Sequence, residues 1–150
     1  MPFVADEVVT AAKLNMATTV SAARGAAADD RTFTNTSYAD LDALTGGAGT
    51  ISAVAVTVTT GTLVTVTVSG TMSTTGGTVV LSYRISGATT LAAATPNGAR
   101  QTGTGLVSCS FTDVQTITAG VNVFELQAVV VGAFTGRLIA PTLVVHTRIP

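Results

Sequence analysis

The sequence predicts an all-β fold, an antiparallel sandwich of the jelly-roll or Greek-key kind carrying a short N-terminal arm. Three observations point there. From residue 32 onward Thr and Val dominate, both β-branched and both suited to a pleated surface. Apolar residues alternate with polar or small ones in runs of strand length. Gly- and Pro-containing turns separate those runs, and no long stretch has helical spacing.

The chain divides by composition into an arm, residues 1–31, and a β-sandwich domain, residues 32–150. The arm runs through Val8-Val9-Thr10-Ala11-Ala12-Lys13-Leu14-Asn15-Met16 into an Ala-rich stretch that ends at Asp29-Asp30-Arg31. Thr10 can cap a short helix over residues 11–16, although an Ala-rich piece of that length depends on neighbours for its order.

Within the domain, residues 32–38 read as a first strand. Residues 51–58 place Val54, Val56 and Val58 on one face, and residues 63–69 repeat the pattern with Val64, Val66 and Val68. Joined by Thr60-Gly61-Thr62, the two runs read as a hairpin. Residues 78–86 set Val79, Leu81, Tyr83 and Ile85 against Val80, Ser82, Arg84 and Ser86. Residues 92–105, with Thr95-Pro96-Asn97-Gly98 and Gly103-Thr104-Gly105, read as a surface loop. Residues 106–112 align Val107, Cys109 and Phe111, which makes Cys109 a packing residue. Residues 123–131 align Phe124, Leu126, Ala128 and Val130. Residues 137–140 form a short addition, and residues 143–149 align Leu143, Val145, Thr147 and Ile149.

Charge is scarce. The chain of 150 residues has 7 Lys and Arg against 8 Asp and Glu, and charged residues make up 10% of it, where about a quarter is ordinary. The cations are scattered singly, so no basic stripe exists to neutralise phosphates, and nucleic-acid binding is not expected. Mean hydropathy is +0.55, yet no apolar run approaches the roughly 18–20 residues that span a bilayer as a helix, and membrane insertion is not expected either. Acidic Asp6-Glu7 stands where a secretory signal would be basic, which predicts no signal peptide and synthesis in a cytoplasm. Cys109 is the sole cysteine, so neither an intramolecular disulfide nor a CxxC motif can form.

Catalytic constellations are equally thin. His146 is the sole histidine and stands in a strand, with no nucleophile motif to partner it. One Cys and one His do not make a zinc site, and Asp40-Leu41-Asp42 lacks the register of a calcium loop. Asp29-Asp30 reads as a solvated turn. No cofactor, no metal and no enzymatic activity are expected. The chain has no Trp and two tyrosines, Tyr38 and Tyr83, of which Tyr83 shares its face with core residues. Aromatic faces supply much of the energy in concave sugar sites, so a secreted lectin-like carbohydrate-binding module is the alternative rather than the leading expectation. The charge deficit itself is informative. A domain of this size has a large surface for its volume, and burial between subunits would remove its uncharged surface from water. An oligomer or a lattice component is therefore expected.

Specific stretches resemble a family. Val4-Ala5-Asp6-Glu7-Val8-Val9-Thr10-Ala11-Ala12-Lys13-Leu14-Asn15 resembles the opening of many small bacteriophage tail and virion proteins, particularly of actinobacterial phages. The body resembles the β domain of their minor tail and tail-fibre-type proteins at residues 34–41 (TNTSYADL), 56–62 (VTVTTGT), 81–90 (LSYRISGATT) and 117–126 (ITAGVNVFEL). The ending, Pro141-Thr142-Leu143-Val144-Val145-His146-Thr147-Arg148, departs from the Arg- and Asn-rich final strand of that pattern. The resemblance implies a non-enzymatic virion component, tail-associated, with capsid decoration or a head fibre as the alternative placement. It implies a homotrimer located in the virion and made in the host cytoplasm, whose arm docks on other virion proteins while the β domain faces outward, where it can touch the host surface. Within the arm, Val8, Val9, Leu14 and Met16 are the apolar docking anchors.

Overall fold

The computed structural model describes residues 18–59 and 62–148. Strands β1 (Thr18–Arg24), β2 (Asp30–Phe33), β4 (Gly49–Thr50), β6 (Leu63–Thr74), β9 (Val107–Thr116) and β11 (Gly136–Arg148) make one antiparallel sheet, here sheet A. Strands β3 (Ala39–Asp40), β5 (Ala55–Val58), β7 (Thr78–Gly87), β8 (Gly98–Gln101) and β10 (Asn122–Val131) make the second, sheet B. The order in sheet A is β4-β2-β11-β6-β9, with β1 pairing along the same edge of β11 as β2. In sheet B it is β3-β10-β7-β8, with β5 beside β3 on β10. From β5 onward, every connection except β7 to β8 passes from one sheet to the other. The expected antiparallel sandwich is what the chain forms.

Alternation drives this arrangement. Inward positions of β6 and β11, among them Val64, Val66, Val68, Met72, Leu138, Leu143 and Val145, pack against Val79, Leu81, Tyr83 and Ile85 of β7 and Phe124, Leu126, Ala128 and Val130 of β10, all buried. The Tyr83 and Phe124 rings lie tilted, 6.3 Å between centroids. Fully burying an aliphatic side chain of this kind contributes roughly 1.5–3 kcal/mol, so these paired stripes hold the two sheets face to face.

Four expectations need correction. The 51–58 and 63–69 runs do not form a hairpin: β5 pairs with β10 and β6 with β11 and β9, in opposite sheets. Both runs bury a valine stripe in the same core, and two strands that face each other across a sandwich show the same period as two that lie side by side. The expected loop 92–105 contains β8, an edge strand on β7. It is admitted by Gly98, where a Cβ would lie 2.7 Å from the carbonyl oxygen of Leu81. The arm does not extend to residue 31. Residues 18–24 and 30–33 are sheet strands on β11, and the expected boundary falls inside β2. Asp29 is not a solvated turn residue but is 4% exposed. Its carboxylate accepts from the Ala26 amide at 2.8 Å and from the Ser52 amide at 3.0 Å and hydroxyl at 3.2 Å.

The 137–140 and 143–149 runs belong to one strand, β11, interrupted by a bulge between Ile139 and Thr142. Ala140 there has φ +45°. The β1–β2 connection crosses at this bulge, with the Gly25 amide donating to Pro141 O at 2.8 Å and the Ala140 amide to Asp29 O at 3.0 Å. The bulge thus lets β1 and β2 share one edge of β11 in succession.

Candidate functional site

The two outward faces of the sandwich differ. On sheet B, β7 and β10 set Arg84 opposite Glu125. The Arg84 guanidinium donates to Glu125 Oε2 and to Asp40 Oδ2 at 3.1 Å, and Gln127 Nε2 donates to Asp40 Oδ1 at 2.8 Å. Much of the rest of this face is covered by the protein's own chain. Ser82, fully buried, donates to the carbonyls of Ala94 and Asn97, and Val80 and Val129 are also buried. Sheet B therefore meets water through an ion cluster and a layer of loop.

Among the described residues, sheet A has neither cover nor charge over most of its breadth. Cross-strand register places Val20 beside His146, Thr65 and Val114, and in the next row Ala22 beside Val144, Thr67 and Thr112. A third row runs Arg24, Thr142, Ser69 and Ser110. Arg24 is the one charged side chain in these rows. Val20 is 58% exposed and Val114 59%. Several of the hydroxyls here are satisfied by each other or by backbone. Thr67 Oγ1 lies 3.0 Å from Thr112 Oγ1, Thr71 Oγ1 lies 3.1 Å from Ser108 Oγ, and Ser110 Oγ donates to Val68 O at 3.3 Å. Where the hydroxyls are internally bonded, as at Thr67 and Thr112, covering the face leaves no polar side chain unpaired.

β9 bounds this face as the outermost strand of sheet A. Edge strands are ordinarily blunted by Lys, Pro or a bulge, whereas β9 has none of these and pairs with β6 without a register break from Val107 to Thr116. Its inward side is anchored: Tyr83 donates to Asp113 Oδ2 at 2.9 Å, and Cys109 and Phe111 pack on the core edge. Partial burial pushes the Cys109 thiol's pKa up, which keeps it protonated and in a packing role.

His146 stands on the outward face between Val20 and Thr65, with no carboxylate as a register neighbour. Among the described residues no group of three or more His, Cys, Asp or Glu side chains could hold a metal ion. The expected docking residues Val8, Val9, Leu14 and Met16 lie outside the described residues. What sequence reading missed is the face made by Val20, Ala22, Val144, Thr67, Thr112 and Val114. Its signal was present in β6, whose outward positions read Thr65, Thr67, Ser69, Thr71 and Ser73 where an exposed strand would ordinarily carry Lys or Glu.

No family model and no curated protein sequence matches the chain. Among solved structures the fold is similar to that of the Eiger TNF protein of S. frugiperda, with TM-score 0.56 and 12% identity over 89% of this chain and 94% of that one. Looser similarity links it to the globular domain of zebrafish complement 1qA, at TM-score 0.43 and 10% identity over 87% of this chain and 97% of that one. At these identities the likeness concerns the β-sandwich fold.

Proposed function

We propose that the chain is a non-enzymatic structural subunit of a bacteriophage virion, tail-associated, which self-associates as a homotrimer through the outward face of sheet A and docks through its N-terminal segment. The observation that carries the assembly part is the asymmetry between the two faces. Among the described residues, sheet B is finished with the Arg84 cluster and its own loops, while sheet A leaves Val20, Ala22 and Val114 exposed, with Val144 half-buried between them, around the bonded Thr67–Thr112 pair. A surface of this kind loses little on desolvation and gains from apolar burial.

The virion assignment is supported by the sequence resemblance at residues 4–15 and across the body, whereas the structure adds only that Thr18 pairs beside the C-terminal end of β11. The segment that precedes it is therefore attached at the same end of the sandwich as the Val20 row. A tail placement stands ahead of capsid decoration. Neither tyrosine gives the carbohydrate-module alternative a stacking face, because Tyr83 is fully buried and Tyr38 is half-buried with its hydroxyl 3.2 Å from Thr95 Oγ1.

Gold-labelled antibody against the sandwich, applied to purified phage particles that encode the chain, tests this. Label on the tail is expected. Label on the head replaces tail by capsid placement, and unlabelled particles whose proteins lack the chain by mass spectrometry overturn the proposal.

A further inference from the structure

We infer that a hydroxyl-lined groove at the far end of sheet A is a binding site for a neutral oligosaccharide. The groove lies beyond the β11 bulge, roughly 30 Å along the strands from the Val20 row. A hollow of about 420 Å³ is lined there by Thr32, Ser73, Thr75, Thr104, Thr135 and Arg137. A second of about 290 Å³ adjoins it and shares Thr32 and Arg137 with it. The first falls in the ordinary range of ligand pockets. The continuation makes the site long rather than deep, which suits a chain of sugar units over a single one.

Register builds the floor. Arg137 of β11 sits between Thr32 of β2 and Ser73 of β6, all on the outward face. Arg137 is held by Asp30, with Nε donating to Oδ1 at 2.8 Å and Nη2 to Oδ2 at 2.5 Å. That bidentate pairing leaves Arg137 Nη1 and the hydroxyls of Ser73, Thr104 and Thr135 without a partner among the described residues. The hydroxyls of Thr32 and Thr75 are engaged with backbone groups of Ala48 and Thr135 and contribute mainly methyl surface.

The chemistry follows from this inventory. A sugar hydroxyl both donates and accepts, so a site for vicinal hydroxyls needs an acceptor and a donor side by side. Asp30, with carboxylate lone pairs beyond those facing Arg137, and Arg137 Nη1 are such a pair, and the free Ser and Thr hydroxyls serve either role. Because the Arg137 charge is already balanced by Asp30, the groove holds no unopposed cation to favour phosphate or a carboxylated sugar. The turns that supply Thr75 and Thr135 also carry Phe134, 42% exposed, whose ring lies against Gly76 and Gly77, so an aromatic surface stands beside the groove. This goes beyond the proposed function and does not depend on the virion assignment.

The test is titration of the isotope-labelled full chain, followed by NMR, with unlabelled neutral tri- and hexasaccharides of glucose, mannose, galactose and xylose, and in parallel with inorganic phosphate and sialyllactose. Shifts confined to residues 30–32, 73–75, 104 and 135–137 with at least one neutral oligosaccharide are expected. Ser73→Ala, Thr104→Val and Thr135→Val, which keep side-chain shape and stay folded by the same spectra, together weaken that binding by roughly tenfold or more. No shifts with any neutral sugar at millimolar concentration, shifts elsewhere on the surface, or binding of the anionic probes alone each overturn the inference. Sugar binding by a chain that stays monomeric and is absent from particles keeps this inference and removes the proposed function. Labelled particles with no sugar binding do the reverse.

Discussion

The hydroxyl of Tyr83 on β7 donates to Asp113 Oδ2 on β9 at 2.9 Å, a hydrogen bond that spans the two sheets. Asp113 also accepts from Gln115 Nε2 at 2.6 Å and from the Val114 amide at 2.8 Å. Edge strand β9 is thereby fixed from inside, which holds Thr112 and Val114 flat on the outward face. The bond links core packing to the candidate assembly surface.

Burial, and then the neighbouring Asp113 carboxylate, push the Tyr83 phenol well above the usual tyrosine range. The folded chain keeps this proton at a pH where the unfolded chain, with an ordinary phenol near pH 10, has lost it. Stability is therefore full below about pH 10 and falls as pH rises above it. Tyr83→Phe keeps the ring and removes the bond, which costs about 0.5–1.5 kcal/mol at neutral pH. It also makes the alkaline decline shallower. Urea denaturation across this pH range checks both.

Asp29 closes the β1–β2 connection by accepting from Ala26 and Ser52. Asp29→Ala removes the acceptor of two backbone amides in a turn whose Ala26–Ala28 stretch is exposed, and costs about 0.5–1.5 kcal/mol. A lowered thermal midpoint with an unchanged fold is the expected readout.

Ala140 holds a left-handed backbone at the bulge, φ +45°. That conformation costs an L residue roughly 1–2 kcal/mol, while glycine's extra freedom in the unfolded chain returns about 0.4–1 kcal/mol. Ala140→Gly is therefore expected to stabilise the protein, by about 0.5–1 kcal/mol, as read by denaturant midpoint.

Deletion of residues 1–17 is expected to leave a folded sandwich that still self-associates and no longer enters particles. Deletion through residue 31 removes β1 and part of β2 from β11, exposes that strand's edge, and yields unfolded or aggregated protein. Circular dichroism and particle incorporation assays separate the two outcomes. Val9→Asp with Leu14→Asp is expected to match the shorter deletion.

Most of the fold was legible because each long strand buries one alternating stripe. Val79, Leu81, Tyr83 and Ile85 and then Phe124, Leu126, Ala128 and Val130 could be assigned to a core from period two alone. What period two does not encode is which sheet a strand joins, and so β5 and β6 read as a hairpin. Strand β8 was hidden because Gly98-Ala99-Arg100-Gln101 has little β character of its own and is held as an edge by β7. Strand β1 was obscured by Ala-rich composition, since its order comes from pairing with β11 and not from propensity, while β2 was read from residue 32, two residues late and running on past Phe33. The candidate surface was visible as a charge deficit without a location. Placing it required the register that brings Val20, His146, Thr65 and Val114 into one row.

Light scattering of the full chain at micromolar concentration, beside the double variant Ala22→Asp with Val114→Asp, tests the assembly claim most directly. Both positions are exposed and face water in the single chain, so the variant is expected to fold. A trimer mass is expected for the wild type and a monomer mass for the variant. A monomeric wild type, or a variant that keeps the wild-type mass, would contradict self-association through the outward face of sheet A.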